Sequence, residues 1–144
     1  MNPILLPFKA EHVRGLPPVE GHTAEGMIEM ARRMEAWGPA LTGIIDGVFI
    51  GAAGLGVYWP GVGEAWTLLT PQIKMTHKVW LTRTVKKFMG DIIRALDLHR
   101  VQIAVRASED MNNRWAQALG FSNPRMLERY GPDKADFIQY TILR

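Results

Sequence analysis

The sequence predicts an α+β fold, a mixed central sheet of about six to seven strands flanked by about four helices. Three observations carry this expectation. Asp46-Gly47 stands between two apolar runs, a strong hairpin signal because both turn positions tolerate positive φ. The longest helical pattern, Thr76 to about Leu96, lies between two runs that read as strands. That order makes a strand–helix–strand crossover, expected to be right-handed. Two last strands then surround the turn Gly131-Pro132-Asp133.

Taken in order, Ile4 to Phe8 reads as a first strand, and Pro7 within it points to a sheet edge. Gly15 to Thr23 holds Pro17, Pro18 and Gly21 and reads as a loop or broken helix. Thr23 is placed to cap a helix from Ala24 to about Trp37, with Glu25 in its first turn. Met27, Met30, Ala31 and Met34 share one face of it, and Gly38-Pro39 end it. Strands follow at Ala40 to Ile45 and Val48 to Val57; Gly51, Gly54 and Gly56 in the second imply something packed close above. The turn Pro60-Gly61-Val62-Gly63 leads to a strand, Glu64 to Thr70, ending at Pro71. Leu81, Val85, Phe88, Met89, Ile92, Ile93 and Leu96 form the apolar stripe of the long helix. Val101 to Val105 is a buried strand, and Asp110 to Leu119 a short helix closed by Gly120. Arg125 to Tyr130 and Phe137 to Leu143 are the final strands.

Bulk properties narrow the class. The 144 residues, 47% apolar and 22% charged, suit one soluble domain spanning 1–144. No apolar run approaches the ~20 residues of a membrane span, and Met1 to Phe8 lacks the basic start of a signal peptide. The absence of cysteine removes disulfides, thiolate metal sites and Cys nucleophiles, and suits a cytoplasmic protein. A net charge of +3 without a basic stripe is an ordinary solvated surface rather than a nucleic-acid interface. His12, His22, His77 and His99 have no metal-binding spacing, so no metal is expected.

The run TLLTPQIKMTHKVWLTRTVKKFMGDIIRALDLHRVQIAVRASED resembles the strand, phosphate-binding turn, long helix and following strand of the GNAT (GCN5-related) N-acetyltransferases. NNRWAQALGF resembles the helix closing that family's coenzyme site, with its Leu-Gly-Phe at Leu119, Gly120 and Phe121. RMLERYGPDKADFIQYTILR resembles the final hairpin of a subset found in phages and prophages, which implies a phage-associated setting as an alternative to a free cytoplasmic enzyme. The resemblance covers nearly the whole chain. It implies transfer of acetyl from acetyl-CoA to a primary amine on a small molecule or protein; the alternative is a non-catalytic binding module or phage virion-associated module of the same fold.

Two adjacent parallel strands, Glu64 to Thr70 and Val101 to Val105, can splay and expose main-chain groups. The resemblance implies that this gap takes the pantetheine arm like a missing strand. The helix start near Lys78 would then meet the pyrophosphate with N–H groups and its dipole. Where the family has Gln/Arg-x-x-Gly-x-Gly/Ala, counting back from Arg100 matches His77, Lys78, Val79, Trp80, Leu81 and Thr82, with no glycine. Lys78 can supply charge in compensation, while Trp80 is bulky enough to crowd the pocket.

For chemistry, the amides near Leu69 and Thr70 are candidates to stabilise the thioester oxygen. Glu64 is the candidate general base, or else a solvated strand-edge carboxylate. Glu20 and Glu25 fall where the resemblance places the acceptor wall, or they are surface charges. The family's acid tyrosine matches Ala116; Tyr130 or Tyr140 could substitute from the terminal hairpin. Asn112, Asn113 and Arg114 match coenzyme contacts, and equally suit an N-terminal cap and a solvated arginine. Trp37, Trp59 and Trp66 line an acceptor groove or belong to the core. The acceptor and oligomeric state are left open, with a strand edge or the tryptophan-rich side available to a homodimer.

Overall fold

The computed structural model describes residues 1–70, 73 and 75–144. The strands are β1 (Pro3–Pro7), β2 (Ala40–Ile45), β3 (Val48–Trp59), β4 (Val62–Leu69), β5 (Arg100–Arg106), β6 (Ser122–Leu127) and β7 (Phe137–Leu143). The helices are α1 (Ala24–Trp37), α2 (Met75–Ala95) and α3 (Asp110–Ala118), with a short 3-10 helix at Ala10–Val13. All seven strands form one sheet in the order β1-β2-β3-β4-β5-β7-β6. Among the described residues only β4 and β5 run parallel, joined through α2. The expected α+β architecture is therefore the observed one.

Local chemistry sets most boundaries. Thr23 caps α1 by accepting the Gly26 amide at 2.9 Å. Asp46 and Gly47 both adopt positive φ, 50° and 79°, as a two-residue hairpin loop requires. β4 begins at Val62, earlier than the glycine-punctuated sequence suggests, because Val62 pairs with Trp59 around Gly61, whose φ is 90°. The expected stop at Pro71 lies outside the described residues. β6 covers Ser122–Leu127 rather than Arg125 to Tyr130: Arg129 has φ 53°, which breaks the strand before Tyr130.

β1 is an edge strand, as Pro7 implied. The Phe8 amide bonds Ala40 O at 3.0 Å, so residues of its parity face β2 and Pro3, Leu5 and Pro7 face outward. Of those three, only Leu5 carries an N–H.

The sheet buries both faces. α1 and the 3-10 helix cover one, with Phe8, Val13, Met27, Ala31, Ala52 and Trp66 in the core. α2 and α3 cover the other, where Leu81, Val85, Met89 and Ile93 recur every four residues. The glycines of β2 and β3 make room for indoles. A Cβ on Gly54 would sit 2.6 Å from the Trp66 ring, one on Gly43 3.2 Å from Trp80, and one on Gly56 would collide with Trp37. The tryptophans therefore do not form one cluster: Trp66 is core beside Phe8, with ring centroids 5.0 Å apart, whereas Trp37 and Trp59 flank Tyr58.

Gly56→Ala has no space for its methyl group unless Trp37 moves. It should destabilise the fold by about 1–3 kcal/mol, the usual cost of overpacking. Urea denaturation would show a lower midpoint; an unchanged midpoint would mean the indole is not seated on this glycine.

Candidate functional site

β4 and β5 separate after three pairs, Val62 with Arg100, Gly63 with Val101 and Glu64 with Gln102. β4 then continues beside β3 as far as Leu69, and β5 beside β7 as far as Arg106. The Thr70 amide donates to Ile50 O at 3.0 Å, which fixes the alternation on β4. Main-chain groups of Thr67 and Leu69 consequently point into the gap. The bond from Ala107 N to Asp136 O fixes β5 likewise, turning Ala104 to the gap from the opposite side. The splayed pair expected from the sequence is present.

The gap opens on both faces of the sheet. On the α1 face is a cavity of about 340 Å³, whose walls include Met30, Met34, Trp66 and Leu68. On the other face, between α2 and α3, is a cavity of about 270 Å³ lined by Leu69, Ile73, Lys78, Leu81 and Arg114 among others. Asn112 and Trp115 border both.

Glu64 stands where the gap begins and lines the first cavity. Its carboxylate accepts from the Tyr58 hydroxyl at 3.0 Å and from the Gln102 amide at 3.5 Å. Burial raises its pKa, while those two hydrogen bonds pull it down. Tyr58 in turn is pushed up to about 12 by burial and by the neighbouring Glu64 charge. Tyr130 lines the same cavity, and burial followed by the Glu64 charge raises its pKa too. Its ring lies 5.4 Å from that of Phe137. Tyr58 was not legible in the sequence, because its reach to Glu64 depends on the β3–β4 register.

Arg106, also unforeseen, is the buried charge of this side, 6% exposed. It donates to Asp133 at 2.9 and 3.4 Å and to Glu20 O at 2.7 Å, with its guanidinium 5.3 Å from the Phe137 ring centre. This pairing holds the Asp133 carboxyl below the usual range. Glu20 lines the cavity; Glu25 is not among its lining residues and is exposed in the first turn of α1.

Several expected coenzyme contacts are placed otherwise. α2 starts at Met75, so the amides of Val79, Trp80, Leu81 and Thr82 close on carbonyls four residues back and are not available to an anion. Only His77 and Lys78 of that run lie in the first turn. Trp80 does not plug the gap; its ring rests near Gly43 of β2. Leu81 is core, with one side on the second cavity, and Thr82 Oγ1 accepts from the Trp115 indole at 2.8 Å. The Thr70 amide is spent on Ile50, leaving Leu69 as the gap-facing one of that pair.

Asn113 turns inward. Its amide donates to Arg106 O and Glu109 O, and its oxygen accepts from Tyr140 at 2.7 Å, so it fastens α3 to the sheet. The same bond removes Tyr140 as a proton donor. Arg114 remains exposed at the second cavity, and half-buried Lys78 lines it too, with its Nζ 3.9 Å from Met111 Sδ. Among the described residues no three His, Cys, Asp or Glu side chains are grouped to hold a metal ion, and no helix is long and apolar enough to cross a membrane.

No family model and no curated protein matches the sequence. Solved structures do match in shape. A GNAT-family acetyltransferase from Bacillus anthracis superposes with a TM-score of 0.71 at 12% identity, over 99% of this chain and 95% of that one. A chimera built on Vibrio cholerae spermidine N-acetyltransferase gives 0.72 at 12%, over 99% and 96%. A putative acetyltransferase from Salmonella typhimurium, solved with its cofactor acetyl-CoA, gives 0.66 at 14%, over 99% and 94%. At these identities the likeness is one of fold: the chain has the GNAT acetyltransferase fold.

The Tyr58–Glu64 bond makes a signed prediction. Tyr58→Phe removes a donor that favours the carboxylate, so the Glu64 midpoint should rise further. Because the folded carboxyl already holds its proton more readily than the unfolded one, its contribution to stability is present below the unfolded pKa and is lost as pH rises through the folded value. A side-chain carbonyl NMR titration of Glu64 reads the shift; a midpoint moving down would overturn this account.

Proposed function

We propose that the chain, as one domain over residues 1–144, is an N-acetyltransferase that moves acetyl from acetyl-CoA to a primary amine. The observation that carries this is the gap between β4 and β5, with main-chain groups of Thr67, Leu69 and Ala104 turned into it and a different chemistry at each mouth. One mouth has the start of α2 with Lys78 and Arg114, groups suited to a diphosphate. The other has a half-buried carboxylate beside a tyrosine, groups suited to moving protons. That a neighbour of the same fold was solved with acetyl-CoA supports the choice of ligand.

The residues fit that ligand. Thr67 and Leu69 would pair with the amides of its arm, and Lys78, Arg114 and the first turn of α2 would hold its phosphates. Bound there, acetyl-CoA supplies an activated thioester. The Leu69 amide, turned into the gap, would be available to the carbonyl oxygen as it gains charge. As the amine nitrogen bonds to the carbonyl carbon and the carbon–sulfur bond breaks, Glu64 takes the proton the nitrogen loses. Tyr130, a phenol and so protonated near neutrality, would give a proton to the departing sulfur. Solvent returns the proton from Glu64 to Tyr130, which closes the cycle.

A second reading, a binding module of the same fold without turnover, is favoured by Ala116 at the family's tyrosine position and by the commitment of Tyr140 to Asn113. The phage-associated setting rests on the terminal hairpin alone.

A thermal-shift titration separates these readings from no function of this kind. Stabilisation should grow with acetyl-CoA as RT ln(1 + [L]/Kd), about 2.7 kcal/mol at a hundredfold excess. Lys78→Glu with Arg114→Glu should weaken binding by roughly tenfold or more, the scale of one charge-assisted hydrogen bond. Coenzyme A release with phenethylamine, spermidine or a serine-initiated peptide supports the enzyme; a shift without release supports the module. No shift at millimolar acetyl-CoA would falsify both. In an active enzyme, kcat/KM should fall in acid with a midpoint above 4.5, the ordinary Glu value, and Glu64→Gln should remove that limb.

A further inference from the structure

We infer that Arg106 is a positioning residue for the acceptor, acting with Asp133 to assemble the wall of the cavity on the α1 face. The inference rests on the reading above, in which that cavity receives the amine.

Two segments outside helices and strands build this wall: Glu20 with His22 before α1, and Tyr130 to Pro132 between β6 and β7. They are remote in sequence, and the Arg106 side chain reaches both. Nη1 donates to Asp133 Oδ2 at 2.9 Å, while Nη2 donates to Glu20 O at 2.7 Å and to Asp133 Oδ1 at 3.4 Å. Nε lies 3.9 Å from Glu20 Oε2. A planar fork with fixed donor directions suits this three-sided arrangement, and a lysine ammonium does not reproduce it.

The fit is close around Gly21. Its φ is +87°, and a Cβ there would lie 2.9 Å from Arg106 Nη2 and 3.0 Å from Asp133 Cγ. The loop is therefore seated directly on the ion pair. A buried guanidinium without its carboxylate is costly, so Asp133 and the loop hold their places together.

The main chain of the same residue serves the other side of the gap. Arg106 O accepts from the Glu109 amide at 3.1 Å and from Asn113 Nδ2 at 3.0 Å, which fixes the start of α3. Changes confined to the Arg106 side chain or to its partners should thus disturb the acceptor wall and spare the second cavity.

Three variants test this: Asp133→Asn, Arg106→Lys and Gly21→Ala. KM is measured for whichever of phenethylamine, spermidine and a serine-initiated peptide the wild type acetylates, beside acetyl-CoA affinity by thermal shift. The expected result is an acceptor KM raised about tenfold, with acetyl-CoA affinity within about twofold; kcat falls as well where the variant frees the segment that carries Tyr130. Asp133→Glu, which keeps the charge, should retain most of the wild-type KM. Amide hydrogen exchange gives a readout that needs no acceptor: residues 19–23 should exchange faster in Asp133→Asn. Unchanged exchange, an unmoved KM, or acetyl-CoA affinity falling in step with KM overturns the role of Arg106. A wild type that binds no acetyl-CoA overturns the acetyltransferase reading itself, and this inference with it.

Discussion

The proposed function rests on one interrupted ladder. Parallel strands joined by a crossover helix ordinarily pair along their common length. Here pairing stops after Glu64 and Gln102, and both strands go on with their other neighbours. Main-chain donors and acceptors inside a protein are costly to leave unmet. A sheet that keeps such a row open in its middle can take a chain-like guest there. The two cavities are the two ends of that opening, and their difference in chemistry follows from what covers each face.

The covering elements divide the labour. α2 and α3 bring Lys78 and Arg114 to one mouth, and α1 brings methionines to the other. Because side chains alternate along β4, Glu64, Trp66 and Leu68 look toward α1 whereas Leu69 looks toward α2. One strand therefore furnishes both sides of the opening. The carboxylate sits at the last paired residue, where the backbone is held on both flanks and its direction is best defined.

Much of the architecture was legible because it depends on local chemistry: the Thr23 cap, the Asp46-Gly47 loop, the four-residue spacing on α2 and the close packing over the β3 glycines, though not that indoles supply it. The interruption was legible only through resemblance, since no residue type signals where a ladder stops. The candidate site was legible in part. Glu64, Tyr130, Lys78, Leu69 and Arg114 border the cavities, but Asn113 and Thr70 are consumed by internal hydrogen bonds that depend on the register of β5, β7 and β3. Counting back from Arg100 placed the anion-binding run too far along α2, because the helix begins at Met75. Arg106 and Asp133 are ordinary charges in sequence, 27 residues apart, and only the β5–β7 pairing brings them together.

The prolines of β1 have a consequence for how these molecules meet one another. The rim they occupy shows carbonyls at Pro3, Leu5 and Pro7 but a single hydrogen-bond donor. Two copies laid edge to edge there would set most carbonyls against proline nitrogens that carry no hydrogen, so backbone pairing across this rim is poor. Self-association across this particular rim would have to be written in side chains, and the flank beside β1 is guarded against fibre growth.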